Sequence, residues 1–438
     1  MHEEEPMKRE KGEFLENLYG KLSQDQPGQK EELRYHPHGQ LSFEEIRSLD
    51  EKYILPTYSR LPVSFVYGSG EFLYDSEGRE YLDFLGGIAV TSLGHAPADL
   101  IESLTRQADM LWHTSNLFYS QQQVLLARAL VEINFPGKVF FCNSGTEANE
   151  AALKIMRAYG QKKDKHKFKI ISLLNSFHGR TFGSMSVTGQ EKIHGGFGPL
   201  LPGVEYVTPN NTQELEEKAG PELCGIILEP IQGEGGVLPL EKEFIQKARD
   251  ICDKHSALLC FDEIQTGMGR CGSYFVYQQL GILPDILTMA KGLGGGFPLG
   301  AVLVAEKYCD VLAEGMHGST FGGNHLACAV AYEVIRTMES RKLVDEVRSK
   351  GIYLAAGLKR LGEGFPEHIV GIRGLGLLQG IVLNERLEAR RLVEKALDEG
   401  LVIGRAGKHV LRLAPPLTVR QASIDQALGK LKSLFSKI

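Results

Sequence analysis

Lys291 follows the apolar run Ile286-Leu287-Thr288-Met289-Ala290 and opens the glycine-rich stretch Gly292-Leu293-Gly294-Gly295-Gly296. A lysine placed where a short buried strand gives way to such a turn is poorly solvated, so its ammonium form is disfavoured and its amine can attack a carbonyl. On that reading Lys291 is a Schiff-base lysine, the covalent anchor of an aldehyde cofactor. A strand-end lysine reaching out to solvent would have the same sequence. Asp262 ends another apolar run, Ala257-Leu258-Leu259-Cys260-Phe261, and the interval to Lys291 leaves room for one crossover helix. A carboxylate at the carboxyl end of a parallel strand faces the ligand crevice, where it could hold a protonated ring nitrogen and keep that ring an electron sink. Gln265, three residues on, could reach an oxygen of the same ring; an ordinary strand-end ion pair is the plainer alternative.

Ser144 and Glu147 in Cys142-Asn143-Ser144-Gly145-Thr146-Glu147 have the spacing of a capping box, and Gly145 lets an anion approach the free N–H groups of a helix start. A phosphate could bind there, or the helix could simply be capped. Apolar and small positions at 148, 152, 155 and 159 continue the helix, and Gly160 is expected to close it. In Phe177-His178-Gly179-Arg180-Thr181 an aromatic adjoins an arginine: Phe177 could stack on a planar ring and Arg180 could grip a carboxylate with its planar fork. Glu234, in Glu229-Pro230-Ile231-Gln232-Gly233-Glu234, and Arg412, in Arg412-Leu413-Ala414-Pro415-Pro416, could pair for one substrate and part for another, giving one site two binding modes.

These residues need a rigid frame. Strand-like runs at 139–141, 169–171, 225–228, 257–261, 286–288 and 301–304 alternate with helical stretches, which indicates an α/β layer fold with a mostly parallel sheet. After about residue 325 the pattern turns to amphipathic helices over 329–361, strands over 376–382 and 409–413, and a last helix, a smaller α+β domain. The expected division is a polar extension over 1–40, with at most a weak helix around 14–22, an N-terminal segment over 41–95 joining the small domain, a large cofactor-binding domain over 96–325, and the small domain over 326–438. Across 438 residues the net charge is −6 and the pI near 6.2, which gives no electrostatic reason to expect nucleic acid or an anionic membrane. Seven scattered cysteines without ligand-like spacing suggest reduced thiols and a cytoplasmic protein, and no metal site is expected. No stretch approaches the length of a membrane span.

The motifs SGTEANE, FHGRT, EPIQGEGG, DEIQTGMGR, AKGLGGG, HGSTFGGN and RLAPP, in this order, resemble those of the class III pyridoxal-phosphate aminotransferases over roughly residues 50–435. The resemblance implies a fold-type-I homodimer with shared active sites and one pyridoxal 5′-phosphate per subunit, held on Lys291 as an internal aldimine with Asp262 on the ring nitrogen. It implies that Gly145 and Thr146 bind the phosphate, that Phe177 and Ile264 sandwich the ring, and that Ser319 and Thr320 reach the phosphate or substrate from the partner subunit. Within the class, Leu111-Trp112-His113-Thr114-Ser115-Asn116 is similar to the acetylornithine and succinylornithine subgroup. Ile88 stands where ornithine δ-aminotransferases typically carry a tyrosine that meets a free α-amino group. The implied reaction moves the terminal amine of N-acetylornithine, or a close N-acyl analogue, to 2-oxoglutarate, giving glutamate, in arginine biosynthesis. Ornithine or 4-aminobutyrate as donor, and a same-fold aminomutase, remain alternatives. The chain departs from the family pattern at Ala96-Pro97-Ala98, at Cys271 and at His325.

Overall fold

The computed structural model describes residues 41–438, so the helix expected around 14–22 lies outside the described residues. Two compact units appear, a small one over 41–67 and 74–80 and a large one over 68–73 and 81–438. In the small unit a helix over Phe43–Tyr53 starts at a full capping box, Ser42 and Glu45 each satisfying the other's backbone N–H. Arg60 pairs with Asp50 near its C-terminal end.

The large unit is an α/β fold around a seven-stranded sheet. Its strands are β1 (Gly137–Cys142), β2 (Lys169–Leu173), β3 (Val204–Val207), β4 (Leu223–Leu228), β5 (Leu258–Asp262), β6 (Ile286–Met289) and β7 (Gly300–Ala305), in the spatial order β1-β7-β6-β5-β4-β2-β3. Pairings among β3, β2, β4, β5 and β6 are parallel, whereas β7 runs antiparallel to both its neighbours. Both faces are covered: alternate residues Leu258, Cys260, Ile286 and Val302 pack with helix α1 (Gly145–Lys163), while Leu259, Phe261, Leu287 and Leu303 are buried on the other side. Helix α2 (Lys242–His255) packs on β4 and β5.

The structure departs from two expectations. Helix α1 does not close at Gly160 but continues to Lys163; a Cβ at 160 would lie 2.2 Å from the Lys167 carbonyl oxygen and 2.6 Å from Cys224 Cβ, so this glycine serves a close approach rather than an ending. The interval between β5 and β6 holds only a four-residue helix, Tyr277–Leu280, in place of a full crossover helix. Its turns are tied down by the buried Glu263 carboxylate, which accepts from the Val276 and Tyr277 N–H groups and the Thr266 hydroxyl.

Beyond β7 come helices α3 (His325–Ser340) and α4 (Leu343–Gly364), separated by Lys342 in a left-handed conformation. An antiparallel sheet follows, β8 (Ile369–Leu375), β9 (Leu378–Leu383), β10 (Gly404–Arg405) and β11 (Val410–Leu413), in the order β8-β9-β11-β10. The strand expected from 376 begins at Leu378, because Gly376, at φ +57°, belongs to the turn joining it to β8. No described helix is long and apolar enough to cross a membrane.

Candidate active site

Strands β5 and β6 are parallel neighbours with Asp262 level with Thr288, so their carboxyl ends bring Asp262 and Lys291 to one edge of the sheet. There they line a cavity of about 430 Å³ together with Gly145, Thr146, Phe177, Arg180, Glu234, Ile264 and Gln265. Nine of the twelve residues singled out in the sequence therefore converge. Arg412 adjoins them through Glu234 and Gln265, whereas Ser319 and Thr320 do not line this cavity.

Lys291 sits at φ +44°, left-handed backbone that a residue with a Cβ rarely adopts. Burial brings its ammonium down to about 8, with Glu234 opposing and Arg412 adding to the shift. The lysine keeps part of its surface open to the cavity, so its neutral amine is far more populated than that of an ordinary lysine and is reachable.

Asp262 is 4% exposed, lines the cavity and has a partner on each carboxylate oxygen. One oxygen accepts from Asn149 Nδ2 and pairs with His178 Nδ1, both at 2.7 Å; the other accepts from the Ile264 N–H at 3.1 Å. Asn149 is itself aligned by the Thr288 hydroxyl, which donates to its Oδ1. Sequence reasoning passed over Asn149, His178 and Thr288. A signal existed for Asn149, which precedes Leu153 and Met156 at i+4 and i+7 and so is a polar residue on the buried face of α1. Glu229 was also left without a part. Its carboxylate accepts from the N–H groups of Phe177 and Gly233, and burial, opposed by His178 and reinforced by Asp262, pushes it up to about 7.

At the start of α1, Ser144 Oγ accepts from the Glu147 N–H, but Glu147 returns to the Asn143 N–H rather than to that of Ser144, so the expected capping box is only half present. Gly145 lies flat against Ile264: a Cβ there would come within 2.7 Å of Ile264 Cδ1. Thr146 Oγ1 accepts from the Arg180 and Thr181 N–H groups, joining the helix start to the Phe177–Thr181 segment.

The two arginines are in opposite states. Arg412 is 3% exposed, ion-paired to Glu234 and donating to Gln265 Oε1 at 3.2 Å. Burial works against ionisation of Glu234, yet Arg412 and then Lys291 hold its carboxyl below the ordinary range. Arg180 is exposed, its guanidinium 5.7 Å from the Phe177 ring centre, with no carboxylate partner among the described residues. A buried lysine amine, a buried carboxylate, a helix start free of side-chain bulk, an arginine paired to Glu234 and an exposed arginine thus surround one cavity.

The family model for class III aminotransferases matches residues 53–435. The chain is a class III aminotransferase. Among its relatives are the acetylornithine aminotransferases of Caldanaerobacter subterraneus, 47% identical over 89% of this chain and 98% of that protein, and of Aquifex aeolicus, 46% identical over 87% and 100%. Among solved structures, the aminotransferase superposes on the ornithine aminotransferase of Toxoplasma gondii with TM-score 0.87 at 32% identity, covering 91% of this chain and 96% of that one. It matches the N-acetylornithine aminotransferase of Stenotrophomonas maltophilia with TM-score 0.77 at 37% identity, covering 89% and 98%.

The departures from the family pattern are accommodated locally. Ala96 adopts φ +48° while His95 Nε2 pairs with Asp83, and Pro97 precedes the helix Ala98–Ala108. Cys271 is buried among apolar residues including Ala89, Val276 and Leu378.

Proposed function

We propose that this enzyme transfers the terminal amino group of N2-acetylornithine, or a close N-acyl analogue, to 2-oxoglutarate with pyridoxal 5′-phosphate as cofactor, giving N-acetylglutamate semialdehyde and glutamate, a step of arginine biosynthesis. The observation that carries the reading is the pair of arginines, one free at the cavity and one covered by Glu234. An ω-amine donor presents one distant carboxylate, which Arg180 can take while Arg412 stays covered; glutamate presents two, and the second requires Glu234 to release Arg412.

The residues fit the cofactor. Gly145, already in contact with Ile264, leaves the N–H groups of α1 open to a phosphate, and Thr146 adds a hydroxyl. Phe177 and Ile264 would flank the ring, Asp262 would pair with its nitrogen, Gln265 would approach its ring oxygen, and Lys291 would be its covalent attachment point. When bound, the cofactor supplies an electron sink for the carbanion left when the substrate carbon loses its proton. Lys291 Nζ, whose pKa burial brings down to about 8, takes that proton from the amine-bearing carbon. The Asn149, His178 and Ile264 contacts would hold the Asp262 carboxylate in a fixed orientation towards the ring nitrogen.

Sequence similarity to acetylornithine aminotransferases supports an acylated donor. Ile88 itself does not line the cavity; Val90, two residues on, does. The higher TM-score with an ornithine aminotransferase favours ornithine as the second reading. Backbone superposition reports the scaffold, whereas donor choice depends on side chains, so identity weighs more here.

A homodimer in the cytoplasm completes the proposal, with residues 96–325 as the cofactor-binding domain and 326–438 as the small domain. All seven cysteines are free, as reduced surroundings would leave them. Trp112, Leu117, Phe118, Tyr119 and Phe321 are exposed on neighbouring segments, an apolar edge suited to a second copy. Ser319 and Thr320 lie on that edge, from which they would reach the other copy's phosphate or substrate. Titrating the loaded enzyme with N-acetylornithine, N-succinylornithine, ornithine and 4-aminobutyrate, and following the bound cofactor's absorbance, should show the highest specificity for an N-acylornithine. Preference for free ornithine would overturn the acyl assignment.

A further inference from the structure

His325 begins helix α3, is 6% exposed, and has a partner on each ring nitrogen. Nε2 lies 3.0 Å from Thr114 Oγ1; Nδ1 lies 3.0 Å from Ser120 Oγ and 3.2 Å from Gln122 Oε1. The direction of these bonds can be worked out from one end. The Leu111 carbonyl only accepts, so Gln107 must present Nε2 to it, at 2.8 Å. Gln107 Oε1 therefore faces Gln122 Nε2, at 2.7 Å, which leaves Gln122 Oε1 turned to the histidine. An amide oxygen cannot donate, so Nδ1 carries the ring hydrogen and Nε2 is left to accept from Thr114.

This relay holds both ends of the exposed stretch from Leu111 to Thr114. The next residue, Ser115, sits at φ +68°, a conformation that costs energy in a non-glycine residue unless its neighbours are fixed. They are: His325 holds Thr114, and Asn116 Nδ2 donates to the carbonyls of Ser319 and Gly322 at 2.9 and 3.0 Å. Gln123 orients that amide by donating to Asn116 Oδ1 at 2.8 Å. The Ser319–Gly322 turn leads back through Asn324, which donates to the Phe321 carbonyl, to His325. The ring of contacts is closed.

We propose that His325 is a positioning residue: through Thr114, Ser115 and Asn116 it fixes the turn that carries Ser319 and Thr320, and so sets how firmly a second copy's cofactor is retained. The inference rests on the reading that this turn completes the second copy's site. Two variants divide its function. His325→Asn retains a donor near the Nδ1 position but cannot reach Thr114; His325→Gln can reach Thr114 from the Nε2 position.

The experiment measures the cofactor dissociation constant of the loaded dimer by equilibrium dialysis, with thermal midpoints recorded for each variant. His325→Asn should release the cofactor roughly tenfold more readily, the effect of losing one well-placed hydrogen bond. His325→Gln should stay within about twofold of the parent at that same conversion scale. Nitrogen-15 spectra of the parent should show the His325 hydrogen on Nδ1. A hydrogen on Nε2 alone, unchanged retention in His325→Asn, or retention that falls equally in both variants in step with their thermal midpoints would each overturn the inference. Thr320→Ala separates the premise: if it leaves retention unchanged, the shared-site reading fails and this inference with it. If Thr320→Ala weakens retention and His325→Asn does not, only the inference falls.

Discussion

At the scale of single residues, the site works by opposing burial against charge. Lys291 loses its proton near pH 8 because burial outweighs the attraction of Glu234. In the cofactor-free chain, labelling of this lysine by an amine-selective reagent should therefore be half-maximal near pH 8, rather than in the ordinary lysine range near 10.5, as read by peptide mass spectrometry. The unfolded chain keeps that proton to higher pH, so this group's contribution makes the cofactor-free fold more stable as pH rises from about 8 towards 10.5. Arg412 gives a second prediction: Glu234→Gln removes the charge that covers it, and activity towards donors with an α-carboxylate beside the reacting carbon should rise relative to the ω-amine donor by about tenfold, in line with losing one charged hydrogen-bond pair. An unchanged ratio of kcat/KM values would contradict the gate. Lys291 and Asp262 could be singled out because each follows or ends an apolar run, and Arg180 because it lies close to Phe177, although each also had a plain structural explanation; Arg412, inside β11, carried no such local signal. Asn149 and His178 were not legible, since their significance is a contact with Asp262 across 113 and 84 residues, a distance that spacing along the chain does not encode.

Elements were legible wherever an apolar run matched one strand. Strand β8 was missed because Gly371, Arg373 and Gly374 interrupt its pattern and its residues are largely half-exposed. Gly160 was misread for a related reason: glycine does end helices, but here a neighbouring backbone dictates it. Gly160→Ala should then invert the usual trend. Alanine favours a helix interior by about 1 kcal/mol, yet its Cβ would strike a carbonyl oxygen that cannot swing aside. Urea unfolding should show net destabilisation of about 1–2 kcal/mol. Gly145→Ala acts on function instead, displacing Ile264 from the cavity wall. Cofactor affinity should fall by about tenfold, one ordinary hydrogen bond or packing contact's worth, with little change in unfolding midpoint; dialysis against the cofactor and a melting curve distinguish the two effects.

For the whole molecule, the parallel sheet and the smaller C-terminal sheet follow from the pattern of runs, but strand order does not. Nothing local marks β7 as the strand that enters antiparallel between β1 and β6. The exposed edge around Phe118 was likewise unreadable as a surface, because Leu117, Phe118 and Tyr119 look like core residues until their exposure is seen. Phe118→Asp should yield monomers by sedimentation and lose most turnover, while keeping the α/β circular-dichroism signature; a dimer of full activity would remove this edge from the assembly. The position of β7 has a consequence for synthesis. Strand β1, from which the phosphate-ready helix springs, pairs among the described residues only with β7. A ribosome that has delivered β1 through β6 has made most of the cavity's residues and strands on which helix α1 packs, but β1 still lacks its neighbour in the sheet. Strand β1 should therefore join the sheet only once residue 305 has been made, leaving the turn from β1 into α1 unsupported in shorter chains, which limited proteolysis of chains ending before and after β7 would show.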